Sequence, residues 1–213
     1  DYKTNVVKNL RIVKKKINRN SKNIFLLHQI HSNKFIFINK YSKHLKRKRA
    51  DAVITDIPRL PIAILTADCA PILIYDKQKK MIAAIHAGWK GAFKGIISKV
   101  ISFMIKKGCE KKNMIAVIGP CIAQKSYNVR EDFKSKFLKK DKSNKVFFKK
   151  RKNLIYFDLS RYIKSQLKFM KITNLDTINI DTFPKKNNFF SARRSLHLNH
   201  DDYGRNISLI MIN

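Results

Sequence analysis

Acidic residues are scarce: 14 Asp and Glu stand against 47 Lys and Arg in 213 residues, a formal net charge of +33. Cysteine is also rare. Cys69, Cys109 and Cys121 are an odd set without scaffold spacing, which excludes a disulfide framework. The mixed, Lys-rich opening Asp1–Lys16 has no secretory pattern, so the chain reads as cytoplasmic, where a cysteine is free for metal or nucleophile work. Only 6 Gly and 5 Pro exclude a fibrous or low-complexity protein. The longest apolar runs, such as Pro61–Thr66 and Pro71–Tyr75, fall far short of a membrane span. With no solenoid repeat and no Gly/Ser linker, the chain is expected to be one domain over residues 1–213.

The abundant residues are Lys, Asn, Ile and Phe. All four share A/T-rich codons, so a genome-wide nucleotide bias accounts for them jointly. The lysines run from Lys3 to Lys186, and the short basic runs Lys14–Lys16, Lys43–Arg49 and Lys149–Lys152 are expected on surface loops or helix ends. Without a basic stripe interleaved with aromatics, the charge supplies nonspecific polyanion attraction at most, and no specific nucleic acid is expected as a partner.

Periodicity predicts a helix over Asn5–Ile17 and a second from Ile96 to Ile105, stopped by Gly108. A third is predicted over Arg161–Met170, with Asp158 or Ser160 as cap. Strands are predicted at Asn23–Leu27, Lys34–Ile38, Ile62–Thr66, Ile72–Tyr75, Met81–Ile85, Met114–Ile118, Asp176–Ile180 and Ile207–Ile212. Clustered strands with helices between them indicate a mixed α/β (α+β) sandwich more than a strict βαβ series.

Three metal-capable residues, His31, Cys69 and His86, fall at strand ends or in adjacent turns. A thiolate with two imidazoles suits zinc or copper, and three protein ligands leave a position open for water or substrate. The separations are long, and the plainer reading is two satisfied core histidines and an inert buried cysteine. His86 heads Ala87-Gly88-Trp89-Lys90-Gly91, where Trp89 either stacks on a base or caps the core. Ser191, Arg193, Arg194 and Arg205 carry groups able to grip phosphate, or form a surface basic cluster.

In these segments the chain resembles the laccase-domain family, also called the YfiH or polyphenol oxidase family. The resemblance is carried by Gln29–His31, Ala50–Thr55, Thr66–Pro71, Ile85–Gly91, Ile118–Ile122, Tyr127–Val129, Phe190–Arg194 and Gly204-Arg205, in family order along nearly the whole chain. It implies a layered sandwich of mixed β-sheets with helices on the outer faces. It implies a metal, usually zinc with copper an alternative, held by His31, Cys69 and His86. The implied reaction is phosphorolysis of adenosine, inosine or methylthioadenosine to free base and ribose 1-phosphate, with adenosine deamination also attributed to the family. Asp68, Cys69 and His86 are then the expected catalytic residues, with Asp68 a general base or an orienting group. Trp89, Lys90, Ser191, Arg193, Arg194 and Arg205 are expected to meet nucleoside or phosphate. Three features depart from the family pattern. An Arg-x-Gly-Gly-type segment ahead of the first helix is unmatched, so roughly forty residues are expected to be missing at the N-terminus. Asp181 stands where a Cys is expected, and Lys90 replaces an Arg, keeping the charge without the planar fork.

Two readings compete. Cys69 and His86 form the nucleophile and base of a hydrolase or amidase, for example one editing a peptidoglycan precursor; or the basic chain is a nucleic-acid-binding protein. Phenol oxidation is the weakest reading, because a multicopper oxidase needs several His-rich sites and the chain has 6 His, with His44, His197 and His200 in polar surroundings.

Overall fold

A computed structural model describes residues 3–17, 22–42, 47–200 and 202–213. His44 and the front of the Lys43–Arg49 run lie outside the described residues. The chain opens with helix α1 (Lys3–Ile17), strands β1 (Phe25–Leu26) and β2 (Phe35–Ile38), then β3 (Ala52–Thr55), β4 (Ile62–Thr66), β5 (Ala70–Asp76) and β6 (Met81–Ala87). Helices α2 (Trp89–Phe93) and α3 (Ile96–Lys106) lead to β7 (Met114–Ile118) and β8 (Asn128–Val129). Helix α4 (Glu131–Lys140), hairpin strands β9 (Phe148–Arg151) and β10 (Leu154–Phe157), and helix α5 (Leu159–Phe169) follow. The chain closes through β11 (Asn174–Thr177), α6 (Ala192–His197) and β12 (Asn206–Ile210).

Among the described residues the strands form three sheets. The largest runs β11-β7-β5-β6-β3-β2, and two three-stranded sheets run β1-β4-β12 and β8-β10-β9. The large sheet is mixed: β2–β3 and β7–β11 pair in parallel, and β3–β6, β6–β5 and β5–β7 antiparallel. This is the layered mixed sandwich implied by the sequence.

Strand alternation fixes the layers. On β6, Met81, Ala83, Ile85 and Ala87 join one buried cluster with Ile97, Val100, Ile101 and Met104 of α3 and Ile163 and Leu167 of α5. Ile82 and Ala84 face the other way and pack with Ile62 and Ile64 of β4 and with Val53. The large sheet is thus covered by helices on one face and by the β1-β4-β12 sheet on the other. By the same parity His86 shares the Ile82 and Ala84 face, at the end of its strand.

Several elements depart from the periodicity. The strand predicted at Asp176–Ile180 runs Asn174–Thr177, because it pairs in register with Ile115–Ile118 of β7 and ends where that partner ends. Lys149 and Lys150, predicted on a loop or helix end, lie in β9, an exposed hairpin strand paired to β10. The unpredicted α4 buries Phe137 completely within a ring cluster that includes Phe133, Phe148, Phe157 and Tyr162.

Candidate metal centre and the cavities around it

Three strand ends and turns deliver the ligand atoms. Those of His31, Cys69 and His86 all lie within 4.8 Å of one another. His31 Nε2 is 3.8 Å from Cys69 Sγ, and the two imidazole centroids are 4.8 Å apart at a steep angle. His86 is the penultimate residue of β6 and is 4 % exposed, Cys69 is half-buried in the turn before β5, and His31 is exposed. Gly88 makes the packing possible: a Cβ there would stand 2.7 Å from Cys69 Sγ and 3.2 Å from His31 Cδ2.

Asp51, fully buried just ahead of β3, organises the cluster. Its Oδ1 accepts the His86 Nδ1 proton at 2.9 Å and the amides of Ile30 and His31 at 3.1 and 2.9 Å. Its Oδ2 accepts the Ser32 amide and hydroxyl, both at 2.6 Å. Three successive amides converge on one carboxylate because His31 sits in the left-handed region, φ 54°, a conformation His tolerates. One side chain therefore fixes the His31 loop and the orientation of the His86 ring, leaving His86 Nε2 for the cluster.

The electrostatics follow. Burial opposes ionisation of Asp51, but the His86 and Ser32 hydrogen bonds outweigh it and hold the carboxyl down to about 2. Burial likewise disfavours charged His86, yet Asp51 and Cys69 push it up to about 9. Cys69, raised by burial and lowered more strongly by both histidines, comes down to about 6. The other thiols go the opposite way: burial and nearby carboxylates push Cys109 and Cys121 up to about 12. Of the three cysteines, Cys69 alone is prepared as a thiolate.

The remaining residues divide. Asp68, adjacent to Cys69 and held at φ 82°, accepts the Thr182 hydroxyl on Oδ1 at 2.7 Å. Its Oδ2 takes the Ser191 hydroxyl at 2.9 Å and the Arg193 amide at 2.7 Å. Ser191 also caps α6 by accepting the Arg194 amide. Arg194 donates to the carbonyls of Thr182, Phe183 and Phe189. Arg193 binds the carbonyl and side-chain oxygen of Asn128 and lies over the Tyr127 ring. Lys90 is exposed and lies over the Trp89 ring. Trp89 packs edge-on to Phe133 and also lines a cavity with His31, Cys69, Tyr127 and Arg193. Arg205 lines a second cavity with His31, Cys69 and His86. Asp181, in place of the expected Cys, accepts the Ala123 and Phe183 amides and the Ser126 hydroxyl, a bracing role. His197 packs against Phe183.

Sequence reasoning assigned Asp51 no role. An acidic residue leading into Ala-Val-Ile-Thr was the available signal, but only the β3–β6 register, Ala52 opposite Ile85, brings it to His86.

The fold and site define a class: a layered α/β sandwich with a His–Cys–His cluster, able to hold a metal ion, at or beside the ends of its strands. The chain belongs to the family described as multi-copper polyphenol oxidoreductase laccase, whose model matches residues 1–213. It is 38% identical over 189 residues to a purine nucleoside phosphorylase of Rickettsia conorii, covering 88% of this chain and 77% of the relative. A purine nucleoside phosphorylase of Haemophilus influenzae is 30% identical over 197 residues, covering 91% and 78%. Among solved structures, the hypothetical protein YfiH of Bacillus licheniformis matches at TM-score 0.88 and 24% identity, over 100% of this chain and 83% of that one. A Neisseria meningitidis protein matches at TM-score 0.86 and 27% identity, with the same coverage.

Proposed function

We propose that this protein is a zinc-dependent purine nucleoside phosphorylase acting on adenosine, inosine or methylthioadenosine. The observation that carries the reading is the His31–Cys69–His86 cluster, whose ligand atoms lie within 4.8 Å of one another and whose residues line two neighbouring cavities. The names of the relatives support the substrate class. One borderline-soft thiolate and two imidazoles, one oriented by a carboxylate, fit zinc, with copper as the alternative. Bound there, the metal supplies Lewis acidity for an oxygen of phosphate or water.

The chain's own residues do the rest. Asp51 holds His86 as the Nδ1–H tautomer and fixes the His31 loop. Asp68 acts as a positioning residue, since its oxygens already take three donors from the 182–193 segment. Trp89 and Tyr127 offer the base aromatic and apolar surface. In phosphorolysis a phosphate oxygen bonds to the sugar C1′ as the C1′–N9 bond breaks. The electron pair leaves with the base, which gains a proton, and ribose 1-phosphate remains. Adenosine deamination is a second activity of the same site, with water attacking the amino-bearing carbon and ammonia leaving.

The test is product analysis of adenosine and inosine with and without phosphate. Base and ribose 1-phosphate formed only when phosphate is present, and lost in folded His86→Ala, is the expected result. No base release, or release equal without phosphate, overturns the reading. The lowered Cys69 pKa favours one alternative, a thiol hydrolase with His86 as base. That enzyme survives chelation and is killed by iodoacetamide. Phenol oxidation is disfavoured by the donor set: the described residues hold one three-ligand His/Cys/Asp/Glu cluster, too few ligands for several coppers.

A further inference from the structure

In the Gln29-Ile30-His31 segment only His31 offers a metal ligand; Gln29 makes a different kind of contact. It is half-buried, and its amide bonds twice to one residue of β4: Nε2 donates to the Leu65 carbonyl at 2.7 Å, and Oε1 accepts the Leu65 amide at 2.8 Å. A primary amide used in this way stands in for a neighbouring strand. Strand β1 pairs in parallel with β4, Phe25 opposite Ile62 and Leu26 opposite Ala63, and the Phe25 amide donates to the Pro61 carbonyl at 2.8 Å. Backbone groups alternate sides along a strand, so Pro61, Ala63 and Leu65 turn theirs towards β1. Level with Leu65, the backbone that would continue β1 has already left the sheet. His28 bridges to Arg49 instead, its amide donating to the Lys48 carbonyl at 3.0 Å and its carbonyl accepting the Ala50 amide at 3.2 Å. The Gln29 side chain takes both Leu65 groups that the departing strand leaves unpaired, a pairing that interior backbone requires.

We propose that Gln29 is a positioning residue of the His–Cys–His centre, the brace that sets His31 at its distance from Cys69. Leu65 is the penultimate residue of β4, and the chain runs from it through Thr66, Ala67 and Asp68 directly to Cys69. Gln29 thus ties the loop that carries one ligand to the strand that delivers another. Asp51 ties the same loop to His86, through the Ile30, His31 and Ser32 amides on one side and His86 Nδ1 on the other. The His31 loop therefore has two anchors with different reach, one for each of the other two ligands. The turn of Cys69 is pinned independently, because Asp68 holds Thr182, Ser191 and Arg193. Loss of Gln29 accordingly displaces His31 and leaves Cys69 and the Asp51–His86 pair in place. Groups that orient a ligand in this way govern metal affinity without touching the metal. The inference rests on the metal centre and not on the reaction assigned to it.

Gln29→Met keeps the length of the side chain and removes both bonds. Gln29→Glu keeps an acceptor for the Leu65 amide and loses the donor. In chelator competition, zinc affinity is expected to fall about tenfold in Gln29→Met and by a smaller factor in Gln29→Glu. The thiolate-to-metal band of the cobalt-substituted protein is expected to shift in the same order. Metal-free protein supplies a second readout. In proton–nitrogen correlation spectra of the imidazoles, the His31 resonances are expected to move, while the His86 Nδ1 proton held by Asp51 keeps its parent position. Ile101→Val, in the core between α3 and the large sheet, is the stability control. It is expected to lower the melting temperature, with zinc affinity within twofold of the parent and both spectra unchanged. Parent His31 resonances in folded Gln29→Met overturn the proposal, as does a zinc affinity within twofold of the parent. Equal displacement of His31 and His86 also overturns it, since that marks a general loosening. If Gln29→Met does not fold, Gln29→Glu is judged by the same criteria. A parent that binds no zinc removes the metal reading, and the imidazole spectra of the metal-free protein then uphold or overturn the brace by themselves.

Discussion

Replacing Asp51 by Asn keeps the volume and removes the charge. Five donors converge on the carboxylate: the Ile30 and His31 amides and His86 Nδ1 on one oxygen, the Ser32 amide and hydroxyl on the other. An amide has one acceptor oxygen. If it keeps the Ile30, His31 and His86 contacts, its NH2 faces the Ser32 amide at the 2.6 Å site, donor against donor. The hydroxyl can rotate to accept; the backbone amide cannot. A buried donor left unpaired costs about 1–3 kcal/mol, and the remaining bonds lose their charge assistance, so a total of about 2–4 kcal/mol is expected. At about 2–4 °C per kcal/mol for a chain of this size, the metal-free protein should melt roughly 5–15 °C lower. Zinc affinity should fall about 10–100-fold, because the His86 ring and the His31 loop lose their common anchor. Thermal unfolding of metal-free protein and zinc competition against a chromophoric chelator measure the two effects. A cobalt-substituted sample separates positioning from mere instability: its thiolate-to-metal and ligand-field bands should shift in the variant. A variant with parent stability, zinc affinity within twofold and unchanged cobalt spectrum would refute the reasoning.

Gly88→Ala is a purely steric companion, since φ −69° and ψ 166° at Gly88 are open to alanine. Its Cβ would press on Cys69 Sγ and His31 Cδ2, so metal content should fall while the far-ultraviolet dichroism stays that of the parent; full metal loading would contradict the described geometry. In metal-free protein, iodoacetamide should alkylate Cys69 with a midpoint near pH 6, against 9 for an ordinary thiol, and zinc should block the reaction. A midpoint above 8 sinks the thiolate–imidazole coupling. Stability of the metal-free protein should also depend on pH at both ends. Asp51, held down from 3.8 to about 2, contributes fully above pH 3.8 and loses its contribution as pH falls through about 2, roughly 2 kcal/mol in all. His86, held up from 6.5 to about 9, contributes fully below pH 6.5 and loses its contribution as pH rises through about 9. Urea midpoints across pH 2–10 check both limbs, and a flat alkaline limb contradicts the Asp51–His86 pair.

The layers were legible where periodicity is strong. The predicted Met114–Ile118 strand is β7 residue for residue, and Asp158 caps α5 by accepting the Arg161 amide. Elements set by partners were not legible. The extent of β11 follows from β7, and the hairpin β9–β10 hides behind Phe148-Lys149-Lys150-Arg151, whose charge masks alternation. Helix α4 shows few apolar residues, although Glu131 and Asp132 at its start and Lys139 and Lys140 at its end complement the helix dipole and could have been used. Within the site, the resemblance named the three ligand candidates, and the structure brings their atoms together. The sequence could not tell the three arginines apart: Arg193 goes to Asn128, Arg194 to the Thr182, Phe183 and Phe189 carbonyls, and Arg205 to the Tyr203 ring and carbonyl and to Asp202. Asp51 needed tertiary register before it had a role, and the choice between general base and orienting group at Asp68 needed the return of residues 182–193 across the fold.

The most direct measurement is metal content by mass spectrometry on protein purified without a histidine tag, beside a Cys69→Ser control of matched fold. About one zinc or copper ion per chain, lost in the control, is the result expected from a His31–Cys69–His86 centre. A folded parent free of metal, or a control that retains its metal, contradicts it.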